Sequence, residues 1–252
     1  MEQKEEPSRF VSRAGRKLEH ALNEFDLDVT DLVCADFGCN VGGFTDCLLQ
    51  RGAKLVYAVD TAYGVLDYRL RTDGRVVVME RTNALHAEPP TLRPQIPPHP
   101  NPLPGGEGLR PPSPSGRGAG GEGEPSRTGE RRAAKDKPRT PSGVDLVVID
   151  LGWTPQRRAV PAALRWLRSD ATSSIITLIK PHYELREEEK RTLLIDGRLD
   201  PAEAERIFHR VLEEMPKLGV TVQASTRSPI TGGKSGRRGA GNVEYLALLT
   251  PT

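Results

Sequence analysis

Short apolar runs punctuate this chain, separated by longer stretches in which apolar positions recur every three or four residues. The runs are Leu32–Ala35, Leu55–Val59, Val76–Met79, Leu146–Ile149, Ser174–Ile179, Val220–Ala224 and Asn242–Leu249, and each is short enough to be a buried strand. Between them, Leu18, Ala21, Leu22 and Phe25 keep helical spacing within residues 8 to 25, with Ser12 as a cap. Cys47-Leu48-Leu49 begins a short helix that Gly52 stops, and Gly64 to Thr72 reads as a short helix or loop. A helix over Arg158 to Arg168 would bury Val160, Ala163, Leu164 and Leu167. Another starts at Pro201, capped by Asp200, and runs to about Leu218. Strands alternating with helices, then two strands in succession, predict an α/β fold. Its sheet has seven mostly parallel strands, helices on both faces and one antiparallel member.

One stretch breaks the pattern. Residues 89 to 143 hold 14 of the 22 prolines and 10 of the 25 glycines and almost no large apolar side chains. Such a segment cannot bury enough surface to offset its ordering entropy. It reads as a disordered, low-complexity insertion within a single domain spanning 1–252, because the strand–helix alternation resumes after it. The insertion is also basic. Without it carboxylates slightly outnumber cations, so the formal net charge of +2 says nothing about partners. No apolar run approaches a membrane span, and Met1-Glu2-Gln3-Lys4 does not begin a signal peptide. Cys34, Cys39 and Cys47 are odd in number without a Cys-x-x-Cys pair. They read as reduced thiols in a cytoplasmic protein, with no metal site.

The chemistry gathers at strand ends. The first run leads through Asp36 into Gly38-Cys39-Asn40-Val41-Gly42-Gly43-Phe44, a glycine turn of the kind that lets a backbone approach a ligand. No Gly-Lys-Ser/Thr follows, which excludes a P-loop, and the spacing is not that of a dinucleotide turn. A carboxylate at the turn disfavours pyrophosphate and suits a ligand carrying an ammonium group. Asp60, ending the second run, is placed for a ribose diol. Asn83, after the third run, would lie beside an adenine. Together these describe a site for S-adenosylmethionine.

Four more charges stand out by position. Asp150 and Lys180 close successive apolar strands, at the edge where α/β sheets bind ligands. Lys17 begins the first helix. Glu244, in the last strand, shares a face with Leu246 and Leu248, where a carboxylate is costly unless paired. If the four converge, two neighbouring lysines depress one another's pKa. A lysine tuned towards neutrality can then accept a proton from a ribose 2′-hydroxyl. Arg9, Arg13 and Arg16 crowd the first helix start, where they oppose its macrodipole, and Lys234, Arg237 and Arg238 lie in a glycine-rich loop. Both sets are candidate RNA contacts.

These motifs carry a resemblance. Ser12-Arg13-Ala14-Gly15-Arg16-Lys17, Asp36 through Leu49, Glu80-Arg81-Thr82-Asn83, Val148-Ile149-Asp150, Ile179-Lys180-Pro181 with Glu184, and Gly241-Asn242-Val243-Glu244 resemble the TlyA family. That family belongs to the FtsJ-like (RrmJ-type) ribosomal RNA 2′-O-methyltransferases. The resemblance implies a Rossmann-like class I methyltransferase fold and S-adenosylmethionine as donor. It implies Lys17, Asp150, Lys180 and Glu244 as the catalytic tetrad, with Lys180 as proton acceptor. It puts the cofactor at Asp36, Gly38, Gly42, Phe44, Asp60 and Asn83. Three departures stand out. There is no room before Ser12 for the S4 domain usual in the family. The segment after Asp150 is Leu151-Gly152-Trp153-Thr154-Pro155-Gln156, where the family usually has a serine and phenylalanine, and His182-Tyr183 replaces Gln-Phe, so that Trp153 or Tyr183 is placed either to stack on a flipped base or to pack in the core. Three readings compete with an RNA methyltransferase: a haemolysin-like membrane activity, a non-catalytic RNA-binding relative, and a small-molecule methyltransferase.

Overall fold

The computed structural model describes residues 9–89, 143–169, 172–232 and 241–252. Nearly all of the predicted insertion lies outside the described residues, as do Lys234, Arg237 and Arg238. Seven strands form one sheet in the order β3-β2-β1-β4-β5-β9-β8. These are β1 (Val33–Phe37), β2 (Leu55–Val59), β3 (Val76–Met79), β4 (Leu146–Ile149), β5 (Ser174–Ile179), β8 (Val220–Arg227) and β9 (Tyr245–Pro251). β1 to β5 pair in parallel, and β9 runs antiparallel between β5 and β8. This is the predicted doubly wound sheet. A hairpin of β6 (Leu194–Ile195) and β7 (Arg198–Leu199) stands apart from it and was not among the predicted elements.

The period of two along each strand sorts side chains between two cores. Ala35, Phe37, Val147, Ile149, Ile175 and Ile179 face α4 (Gln156–Leu164) and α6 (Pro201–Glu214). Cys34, Val56, Ala58, Val148, Ile176 and Leu178 face α1 (Ala14–Glu24) and α2 (Gly43–Gln50). The even-numbered residues thus point to the α1–α2 layer. Asp60, Asp150 and Lys180 continue that parity just past their strand ends. A short α3 (Tyr68–Arg71) adds Leu70 to the same layer, and α5 (Glu187–Leu193) precedes the hairpin.

Several boundaries differ from the sequence-based expectation, each for a definable reason. β1 continues through Phe37, so Asp36 lies inside the strand, opposite Ala58 and Val148. β9 starts at Tyr245, because its ladder to β5 ends where β5 ends, at the Ile179–Tyr245 pair. Glu244 is therefore one residue outside the strand, and one further step of register sets it opposite Lys180. The Ser12 hydroxyl accepts from the Ala14 N–H at 3.3 Å, while Arg13 occupies the N-cap position. α4 stops at Leu164, because Trp166, Leu167 and Arg168 turn out to pair with Val144. Asp200 caps α6 as predicted, accepting from Ala202 N–H.

Trp166 fills the centre of the α4–α6 side. It is fully buried, packs edge-on against Phe37 at 5.2 Å, and donates its indole N–H to the Ala87 carbonyl at 2.9 Å. Trp166→Ala is expected to lower the unfolding free energy by about 3–5 kcal/mol, as large-to-small core changes do. Urea denaturation measures this, and a loss below about 1 kcal/mol would show that the site collapses without strain.

Candidate active site

At the carboxyl edge of the parallel strands lies a cavity of about 1130 Å³. Lys17, Asp150, Lys180 and Glu244 all line it, and the glycine turn supplies another wall through Gly38, Asn40 and Phe44 among others. Residues from α1, the ends of β4 and β5, and the approach to β9 thus meet in one place.

The four charges form two ion pairs. Lys17 Nζ donates to Glu244 Oε2, both side chains being almost wholly buried. Lys180 Nζ lies 2.6 Å from Asp150 Oδ1 and donates to the Leu151 carbonyl at 3.2 Å. The expectation of a lysine tuned towards neutrality is not met. Burial pulls the Lys180 pKa down, but the charge and hydrogen bond of Asp150, helped by the Glu244 charge, outweigh it and hold the pKa above the usual lysine range. Two carboxylates beside two ammonium groups reverse the effect expected from two lysines alone.

The glycine turn is built tightly. At Gly38, with φ +87°, a Cβ would come 2.7 Å from the Asp150 carbonyl oxygen, so a side chain there would push β1 from β4. At Gly42, with φ +100° at the N-cap of α2, a Cβ would collide with Leu70. Gly42 therefore serves packing, off the cavity wall. Asp36 is also off the wall. Its Oδ2 accepts from the Thr45 amide at 2.9 Å and the Thr45 hydroxyl at 2.7 Å, fixing the start of α2. Its Oδ1 is buried without a partner. Burial, opposed by the Thr45 hydrogen bonds and assisted by the Asp150 and Asp60 charges, raises its pKa to about 7.

Asp60 braces the turn from below. Its Oδ2 accepts from Asn40 N–H and its Oδ1 from Ala62 N–H, both at 2.8 Å. Asn83 is exposed, and its side chain accepts from Leu85 N–H at 3.0 Å. Neither Asp60 nor Asn83 lines the cavity. Of the basic candidates, Arg13 lines the cavity, Arg16 is exposed, and Arg9 is engaged by Glu19 and Gln50.

Some contributors were not read from the sequence. Gln156 is buried and joins the Asp150 loop to the Lys180 strand. Its side chain donates to the Leu178 carbonyl at 3.3 Å and accepts from the Thr177 hydroxyl at 2.7 Å, and its backbone N–H donates to Glu184 Oε1 at 2.9 Å. Glu184 is raised to about 7 chiefly by burial. Asn242 links the hairpin to the Glu244 segment, accepting from Leu199 N–H at 2.9 Å and donating to the Gly197 carbonyl at 3.0 Å. The hairpin turn itself lines the cavity. Its Asp196-Gly197 dipeptide, with φ of +51° and +75°, is the sequence signal that would have found it. Trp153, 76% exposed, lies 6.0 Å from Tyr183 at the cavity wall, which excludes the core-packing alternative for that tryptophan. The His182 ring, tilted by 50° against that of Tyr183, has its pKa pushed down to about 4 by burial and the Lys180 charge.

A sheet of this order with a ligand turn after its first strand defines a Rossmann-like, S-adenosylmethionine-dependent methyltransferase fold. Similarity to a candidate S-adenosylmethionine-dependent methyltransferase from Listeria monocytogenes agrees at the level of fold, with TM-score 0.51 at 13% identity over 96% of this chain and 100% of that one. The FtsJ-like methyltransferase family matches over residues 10–238, and the chain belongs to that family. It is 32% identical over 241 residues to the 16S/23S rRNA (cytidine-2′-O)-methyltransferase TlyA of Mycobacterium tuberculosis (strain CDC 1551 / Oshkosh), covering 95% of this chain and 68% of the relative. It is 32% identical over 245 residues to YqxC, a candidate rRNA methyltransferase of Bacillus subtilis (strain 168), covering 96% of this chain and 66% of that protein's length. A candidate hemolysin from Streptococcus thermophilus shares the structure with TM-score 0.71 and 30% identity, over 99% of this chain and 70% of that one. The cofactor of this family and fold is S-adenosylmethionine. The residues present leave room for it: the glycine turn walls the cavity through Gly38, Asn40 and Phe44, and no side chain at Gly38 fills the approach between that turn and Asp150.

The raised pKa of Asp36 has a consequence for folding. Between about pH 4 and pH 7 the native state keeps a proton that the unfolded chain has lost, so stability falls as pH rises through that window. Asp36→Asn is expected to flatten the profile and to exceed the wild type in unfolding free energy above pH 7 by up to a few kcal/mol. Denaturant titrations from pH 5 to about 8.5 measure it. Parallel profiles for the two proteins would show that the carboxylate is not held protonated.

Proposed function

We propose that this chain is an S-adenosylmethionine-dependent RNA ribose 2′-O-methyltransferase acting on ribosomal RNA, with Lys17, Asp150, Lys180 and Glu244 as its catalytic residues. The observation that carries the reading is the convergence of two lysine–carboxylate pairs on one cavity beside the glycine turn. The names of the Mycobacterium and Bacillus relatives support an rRNA substrate, and the former's supports the 2′-oxygen. No helix among the described residues is long and apolar enough to cross a membrane, so the name hemolysin, carried by a solved relative, gains no support from a spanning helix.

When bound, S-adenosylmethionine supplies an electrophilic methyl group on a sulfonium. Asp36 and Asp60 support the turn that holds it, with Gly38 and Phe44 on the wall and Asn83 towards its adenine. Lys180 rests as an ammonium. Its contacts to Asp150 and the Leu151 carbonyl fix two of its hydrogens, leaving the third position for the substrate. A cationic ligand nearby favours the neutral amine, and the proton leaves to bulk water before the substrate displaces water from the cavity. Lys180 Nζ then has a lone pair directed at the ribose 2′-hydroxyl and takes its proton. Lys17, held by Glu244, offers an ammonium to the oxygen as its negative charge grows. Arg9, Arg13, Arg16, Lys234, Arg237 and Arg238 supply cationic contacts for the RNA.

Lys180→Ala is expected to reduce methyl transfer to ribosomal RNA by at least about 10²-fold while S-adenosylmethionine binds as before. Labelled methyl incorporation and calorimetry read the two quantities, and near-full turnover would remove Lys180 as base. In the wild type, log kcat/KM should rise by about one unit per pH unit on the acid side, since the reactive form of Lys180 is the minor one. A flat profile from about pH 6 to 9 would contradict that. Asp60→Ala, which frees Asn40 N–H and removes a diol acceptor, should weaken S-adenosylmethionine binding by about tenfold to a hundredfold. Unchanged affinity would exclude Asp60 from the cofactor site.

A further inference from the structure

A second groove, of about 600 Å³, adjoins the catalytic cavity. Trp153 and Tyr183 line both, so the two rings form a shared wall. The groove is lined by five cationic side chains, Arg157, Arg158, Arg186, Lys190 and Arg210, against three carboxylates, Glu184, Glu187 and Glu214.

The pairing within it is uneven. Lys190 meets Glu187 at 2.6 Å, and Arg210 meets Glu189 at 2.5 Å. Arg186 and Glu214 stand 4.0 Å apart with both side chains substantially exposed, a contact that contributes little. Glu184 accepts from the Gln156 N–H. Arg157 and Arg158 are exposed and form no ion pair or side-chain hydrogen bond among the described residues. They sit in the first turn of α4, where the helix macrodipole makes added cations unfavourable. Beyond the charge that Arg157 presents to Glu184, folding gives little reason for two adjacent arginines here, whereas an anionic partner lying in the groove does.

We propose that this groove takes the phosphodiester backbone of single-stranded RNA immediately beside the nucleotide held in the catalytic cavity, with Arg157 and Arg158 contacting its phosphates. The inference rests on the RNA reading of the cavity and extends it. Three observations favour RNA as occupant: the groove shares its Trp153–Tyr183 wall with the cavity, its charge is complementary to phosphate, and the cations outside its ion pairs are arginines, whose planar forks match phosphate oxygens. The Trp153–Tyr183 wall marks where the strand passes from one compartment to the other.

The test is RNA binding as a function of salt. The full chain is titrated against a fluorescent single-stranded RNA oligonucleotide of mixed sequence, as wild type and as the double variants R157A/R158A, R157K/R158K and R157E/R158E. The alanine pair should bind several-fold more weakly, with a log K against log salt slope shallower by about 0.7 for each phosphate that the variant no longer neutralises. The lysine pair should keep most of the affinity, the glutamate pair should bind least, and all should hold S-adenosylmethionine as the wild type does. If the alanine and glutamate pairs match the wild type in affinity and slope, the groove is not an RNA path, and the functional reading stands. If the wild type neither binds nor methylates RNA, both fall. Tighter capture of an acidic peptide than of RNA, abolished in the alanine pair, would overturn RNA as the occupant in favour of a protein segment.

Discussion

Burying a charge demands a partner, and the cavity is organised by that rule. Glu244 reaches the α1–α2 core by strand parity, the same parity that buries Leu246. A carboxylate there is tolerable only because α1 brings Lys17 to meet it. The pair fixes where the start of α1 lies relative to the approach to β9, and so where that wall of the cavity stands. Such a pair contributes little net stability over an apolar alternative, whereas losing one partner costs about 3–5 kcal/mol. Its presence at a cavity edge is better explained by chemistry than by folding.

Around that anchor the chain separates the groups that face the cavity from those that hold them. One oxygen of Asp36 and both of Asp60 accept from backbone and hydroxyl donors at Thr45, Asn40 and Ala62, which braces the glycine turn without occupying it. Gln156 fastens the Asp150 loop to β5, and Asn242 fastens the hairpin to the segment before β9. The Lys180–Asp150 pair is therefore braced from the start of α4, through the two Gln156 side-chain bonds to β5.

What could be read beforehand followed from periodicity and from charge at strand ends. Parity alone foretold that Glu244 would point inward, and apolar runs ending in Asp150 and Lys180 put both at one edge. What could not be read depended on tertiary register. The extension of β1 through Asp36 required pairing with two neighbours, which turned a predicted ligand contact into a buried brace. Gln156 looks like any polar residue at a helix start until Thr177 and Glu184 are brought to it. The direction of the Lys180 pKa depended on its burial and on its distances to Asp150 and Glu244, which sequence spacing does not give.

Charge placement follows one further logic. The tetrad is neutral overall, two ammonium groups against two carboxylates, so it contributes no long-range attraction for a polyanion. Attraction has to come from cations outside it, and among the described residues four of these sit at two helix starts: Arg13 and Arg16 at α1, Arg157 and Arg158 at α4. Both starts border the same cavity or the groove beside it. In each the cations oppose the macrodipole, a small cost repeated on two unrelated helices. An anionic strand crossing both starts removes that cost at each, since the dipoles and the arginines then act on it in the same sense.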